Sequence, residues 1–95
     1  MIRSFACRAT EALFHSRPVA RWKNIERVAR RKLLQLKAAT ELASLGVPPG
    51  DRLEALRGDR KGQHSIRIND QWRVCFIWRT DGPHQVEIVD DHEEG

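Results

Sequence analysis

At 95 residues the chain makes one small domain, long enough for a single two-layer core and too short for a cofactor domain beside a substrate domain. It is basic, with 17 Lys or Arg against 13 Asp or Glu and a sequence pI near 9.7, which points to an anionic partner such as nucleic acid. No apolar window approaches a bilayer span, so no membrane-spanning helix is expected, and any ligand must sit on the surface or in a shallow cleft.

In chain order, Ile2 to Phe5 reads as a short strand. A first helix is expected from about Thr10, with Thr10 as N-cap and Pro18 as the break after it. The opening MIRSFACRATEALFHSR lacks the apolar centre of a secretory signal, so a cytoplasmic protein is expected. From about Val19 to Leu45, Trp22, Ile25, Ala29, Leu33, Leu36 and Ala43 recur at three- and four-residue steps, and Gly46 follows as a C-cap. That spacing predicts one long amphipathic helix. Its other side carries Lys23, Arg27, Arg30, Arg31, Lys32 and Lys37, a face for solvent or for a partner.

Val47 to Asp51 cannot continue a helix, because two prolines remove donors and Gly50 permits a reversal. A meander is predicted beyond it: Leu53 to Leu56 as a strand, Gly58 to Gly62 as a turn, Ser65 to Ile68 as a strand and Asn69-Asp70 as a hairpin turn. Gln71 to Arg79 follows as a strand, then a Thr80 to Pro83 turn and a last strand from about Gln85 to Val89. Strand alternation puts Trp72, Val74, Phe76 and Trp78 on one side and Arg73, Cys75, Ile77 and Arg79 on the other. The expected fold is α+β, with helices on one face of a twisted, mainly antiparallel sheet of about four strands. A single domain spans 1–95, with residues 93–95 as a flexible tail.

Charge is unevenly distributed. Residues 1–79 hold 17 Lys or Arg and 7 acids, whereas residues 80–95 hold six acids and no Lys or Arg. Arg57, Arg60, Lys61, Arg67, Arg73 and Arg79 would give the sheet a positive face suited to a polyphosphate. Arg73, on a half-buried face, needs an anion: either a structural partner among Asp59, Asp90 and Asp91, or a phosphate. Cys7 and Cys75 form no CxxC and the four histidines are scattered, so neither a metal nor a cofactor is expected. His64 reads as a surface strand residue, and Trp22, Trp72 and Trp78 as packing.

Cutting RNA without a metal requires a base for the 2′-hydroxyl, fixed cations for the phosphorane oxygens and an acid for the departing 5′-oxygen. Arg57 and Arg73 can supply the fixed charge, His92 can act as base or acid, and Asp90 can orient it. The chain resembles the HigB-type (plasmid maintenance killer) toxins of the RelE/ParE superfamily. The resemblance is carried by Met1 to Phe5 (MIRSF), Leu53 to Gly62 (LEALRGDRKG), His64 to Phe76 (HSIRINDQWRVCF) and Val86 to His92 (VEIVDDH).

The resemblance implies a RelE-like fold and a type II toxin that cuts mRNA on the ribosome as a metal-independent endoribonuclease, so inhibiting translation. Its catalytic positions fall on Arg57, Arg73, Asp90 and His92, with Glu54 and Asp91 as secondary candidates. Arg60, Lys61 and Arg67 are the candidates for RNA or ribosome contacts. The implied partners are a HigA-type helix-turn-helix antitoxin, the ribosome and mRNA, with operator DNA reached only through the antitoxin. The sequence departs from the family in two places: Asp91 stands where an aromatic is typical, and Glu54 where some members carry histidine. Two other functions fit the same fold, a ParE-like inhibitor of DNA gyrase and a catalytically weak remnant that binds RNA or antitoxin.

Overall fold

The computed structural model describes residues 1–47 and 49–91. Two helices, α1 (Arg8–Phe14) and α2 (Glu26–Ala38), pack on one face of a four-stranded sheet. The strands are β1 (Glu54–Ala55), β2 (His64–Arg67), β3 (Trp72–Arg79) and β4 (Gly82–Asp90), antiparallel and in sequence order across the sheet. The expected α+β architecture is therefore the observed one. Asn69 makes the β2–β3 hairpin, its Oδ1 accepting from the backbone N–H of Gln71 (2.9 Å) and Trp72 (2.8 Å), the Asx turn that short polar side chains favour. The β3–β4 connection is tighter than expected: Arg79 pairs with Gly82, and β4 begins at Gly82 rather than Gln85.

Four details of the sequence reading are corrected. Residues 2–5 make an isolated parallel bridge, Phe5 to Val86, rather than a strand. It docks where the β3–β4 register shifts and Gln85 takes a positive φ of 51°, a bulge that bends β4 and leaves its outer edge open to the N-terminal segment. Helix α1 starts at Arg8, and Thr10 lies inside it, not at its cap. Thr10 is fully buried, and its Oγ1 accepts the Ile88 N–H of β4 at 3.0 Å, tying helix to sheet.

The third correction concerns the 19–45 segment, which is divided into a 3-10 turn at Ala20–Trp22, α2, and a second 3-10 turn at Leu42–Gly46. Ala39 turns extended after α2, so Gly46 caps nothing of the long helix and Ala43 is exposed. Geometry explains the break: a continuous helix of that length would run about 40 Å, beyond the 32 Å longest extent of the domain. Breaking it lets Trp22, Ile25, Ala29, Leu33, Leu36 and Leu45 all reach one core with Leu13, Ile66, Val74, Phe76, Val86 and Ile88.

The fourth is the basic side of α2, which is partly structural. Arg30 donates from Nε to the Leu13 carbonyl (2.9 Å) and from Nη2 to the Arg17 carbonyl (3.2 Å), closing the C-terminal end of α1, and it pairs with Glu26 at 2.7 Å. Lys32 is ion-paired to Asp51, which is fully buried. That pair fastens the turn before β1 to α2. Among the described residues no helix is long and apolar enough to cross a membrane.

Candidate functional site

The sheet has one face under the helices and one open. By strand alternation Val74 and Ile66 go inward, so their neighbours Arg73, Ser65 and Arg67 go outward. Register then sets a conflict. Arg67 of β2 stands directly opposite Arg73 of β3, and like charges facing across a ladder are destabilising unless anions separate them.

Carboxylates resolve the conflict. Arg73 Nη2 is ion-paired to Asp91, just beyond β4, and Arg73 Nη1 lies 3.9 Å from Glu54 of β1. Arg73 Nη1 also donates to Ser65 Oγ at 3.2 Å. Arg67 is ion-paired to Asp70 in the hairpin turn and donates from Nε to the Asn69 carbonyl at 3.1 Å. Around them is a cleft lined by Arg52, Glu54, Ser65, Arg67, Asn69, Asp70, Trp72, Arg73 and Asp91. Its charged groups are three arginines and three acids, so the expected positive face is internally neutralised here.

Burial grades these groups. The Arg73 side chain is 17% exposed, whereas Asp91 is 47% and Glu54 60% exposed. The guanidinium is thus a fixed element in the floor of the cleft, and the acids reach it from the solvent side. Ser65, 2% exposed, is part of the floor. Of the structural partners expected for Arg73, the acid it meets is Asp91, at an open cleft.

The candidate residues are distributed as follows. Glu54, Arg67, Arg73 and Asp91 share the cleft. Arg57 is exposed at the start of the Gly58–Arg60 turn and is not among the lining residues. Lys61 is exposed as well. Arg60 is half-buried and engaged by Glu87 at 2.7 Å and Gln63 at 3.1 Å. Asp90 pairs in register with Trp72, whereas the cleft arginine Arg73 pairs with Val89, and Asp90 Oδ2 accepts from Gln71 Nε2 at 3.0 Å. His92 and the expected tail 93–95 lie outside the described residues.

Sequence reasoning missed Arg52, Ser65, Asn69 and Asp70 as parts of this cleft. Arg52 takes a left-handed φ of 45°, uncommon for a side chain of this kind, directly after the buried Asp51. Ser65 was legible in principle, since strand alternation from Arg67 puts it on the same face. Trp72 does double duty: it packs edge-on against Trp22, ring centroids 6.1 Å apart, and also lines the cleft. His64 is half-buried, stacked against Phe76 at 6.3 Å between centroids. Cys75 is buried and Cys7 half-buried. Among the described residues no group of three or more His, Cys, Asp or Glu could hold a metal ion.

Residues 15–92 match the family model of HigB-like toxins, described as the RelE-like toxin of the type II toxin-antitoxin system HigB. The chain belongs to the HigB-like toxin family. It is 43% identical over 70 residues to Toxin HigB-1 of Vibrio cholerae serotype O1 (strain ATCC 39315 / El Tor Inaba N16961), a match covering 74% of this chain and 73% of that protein. This HigB-like chain is accordingly a toxin of a type II toxin-antitoxin system, with an antitoxin as its partner. Its open sheet face carries two opposed arginines flanked by carboxylates.

Proposed function

We propose that this toxin is a ribosome-dependent endoribonuclease that cuts mRNA and so inhibits translation. The observation that carries the reading is the opposed pair Arg67 and Arg73 on an open face, a cation arrangement that demands anions and lies beside the exposed carboxylate of Glu54. A phosphodiester bound there would meet Arg73, whose guanidinium is held at Nη1 by Ser65 and so offers a positioned charge.

In the proposed reaction the 2′-oxygen bonds to phosphorus as its proton passes to a base, and the bond to the 5′-oxygen breaks as that oxygen receives a proton. The product is a 2′,3′-cyclic phosphate. Glu54 is suited to be the base, being exposed and 3.9 Å from Arg73, near enough for the cation to share the transition-state charge. The family resemblance assigns the remaining acid-base work to Asp90 and His92 and a second fixed charge to Arg57. Arg73 supplies the positive charge that a metal would otherwise bring. Lys61 suits a phosphate contact along the RNA track, whereas Arg60 and Arg67, engaged by Glu87 and Asp70, would reach phosphate only by exchanging those acids. A HigA-type helix-turn-helix antitoxin, which would carry operator binding, and a cytoplasmic site of action complete the reading.

The test is to map RNA 5′ ends by primer extension on mRNA bound to purified ribosomes and on the same mRNA naked. Cuts confined to the ribosome-bound message support the reading. An absence of cuts together with inhibition of gyrase supercoiling would replace it with the ParE-like function. An absence of both effects would leave a remnant that binds antitoxin or RNA.

A further inference from the structure

The cleft that would bind RNA is occupied by the chain's own acid. Arg73 is the most buried cation of the open face, and its Nη2 already holds the Asp91 carboxylate. Across the ladder Arg67 holds Asp70. A phosphate entering here therefore meets guanidinium groups that already hold carboxylates. The two acids differ in how they are held. Asp70 belongs to the hairpin turn that is built by Asn69 and is itself three residues from Arg67. Asp91 follows the end of β4, where its backbone N–H donates to the Gln71 carbonyl, and nearly half of its side chain faces water.

We infer that Asp91 is an internal competitor for the substrate phosphate and sets the affinity of this site: RNA binds by exchanging one anion on Arg73 for another. The inference rests on the proposed RNA cleft and adds to it a particular electrostatic consequence. The Arg73–Asp91 pair has no net charge, so it neutralises no phosphate, and the RNA gains no counter-ion release from it. Removing the acid raises the net charge of the cleft by one unit. For single strands each neutralised phosphate contributes a slope of roughly 0.7 to the fall of log affinity with log salt. Ser65 stays behind as the fixed contact that keeps Arg73 Nη1 in place while Asp91 departs.

The experiment titrates a short 2′-O-methyl oligouridine, which binds but cannot be cut, into the full chain over a series of salt concentrations. Asp91→Asn and Asp91→Ser are compared with Glu11→Gln, an equal change of charge on α1 under the opposite face of the sheet. Both Asp91 variants are expected to bind roughly three- to fivefold tighter at low salt, the upper range for an exposed ion pair, with a slope steeper by about 0.7. Glu11→Gln should leave the slope near that of the parent. Arg73→Ala is the arm that separates the two levels of argument. If Arg73→Ala weakens binding while both Asp91 variants match the parent in affinity and slope, competition by Asp91 is refuted and the RNA cleft stands. If Arg73→Ala also binds as the parent does, the RNA cleft falls and the exchange mechanism falls with it.

Discussion

Replacing Arg73 by alanine separates a catalytic role from a structural one, because the geometry predicts very different sizes for the two effects. The guanidinium meets Ser65 Oγ at 3.2 Å, Glu54 at 3.9 Å and Asp91 by ion pair. As the fixed charge beside a scissile phosphate it is asked for roughly 3–4 kcal/mol, the scale of losing one transition-state donor. At about 1.36 kcal/mol per decade, that is a fall in cleavage of roughly 160- to 870-fold. The cost to folding is small by comparison. The acids left behind are 60% and 47% exposed, so water solvates them, and the loss stays within about 1 kcal/mol. For a domain of this size that is a drop in Tm of roughly 4–8 °C at most. The measurement pairs primer-extension rates on ribosome-bound mRNA with thermal melting of the same preparation. A folded Arg73→Ala chain that cleaves within about threefold of the parent would refute the assignment of the phosphorane contact.

Three further outcomes test how the scaffold holds this site. Lys32→Met leaves the Asp51 carboxylate, fully buried, without its cation, and should cost about 3–5 kcal/mol in urea denaturation, with much of it recovered when Asp51→Leu is added. Thr10→Val keeps the shape but orphans the buried Ile88 N–H, a loss of about 1–3 kcal/mol by the same assay. At the β3–β4 turn the hydrogen bond from His84 holds the Asp81 carboxyl below the ordinary aspartate value, with smaller help from Arg3. An acid depressed in the folded state adds stability that is complete above its unfolded pKa, about 3.9, and is lost as pH falls through the folded value. Asp81→Asn should therefore flatten the part of the acid-denaturation curve below about pH 4, and an unchanged acid limb would contradict the depressed pKa.

The sheet was legible in the sequence because its signals are local. Asn69-Asp70 marks the hairpin, and the alternation from Trp72 to Arg79 marks which face goes inward, a face on which Val74 and Phe76 are indeed fully buried. The helical half was less so. The three- and four-residue spacing through Trp22, Ile25, Ala29, Leu33 and Leu36 identified the buried stripe correctly and the length of the helix wrongly. Periodicity reports which residues face the core, and a broken helix that keeps turning toward one core preserves it. The limit came from the size of the domain, which no local window contains. Thr10 misled for a related reason: a threonine before an apolar run reads as a cap, whereas here its hydroxyl serves a strand 78 residues away.

The site shows the same division between local and distant information. Alternation alone assigns Ser65, Arg67 and Arg73 to one face, and the number of cations there suggests a positive surface. Whether that surface is positive depends on which acids the register brings alongside. Glu54 arrives by the β1–β2 pairing, opposite Ser65, and Asp91 arrives because β4 runs past Arg73 to its end. Since Arg67 and Arg73 face each other, the free protein has to supply anions to the pair. On the proposed RNA-cleaving function, a phosphodiester entering this cleft would compete with the carboxylates that already hold the two arginines.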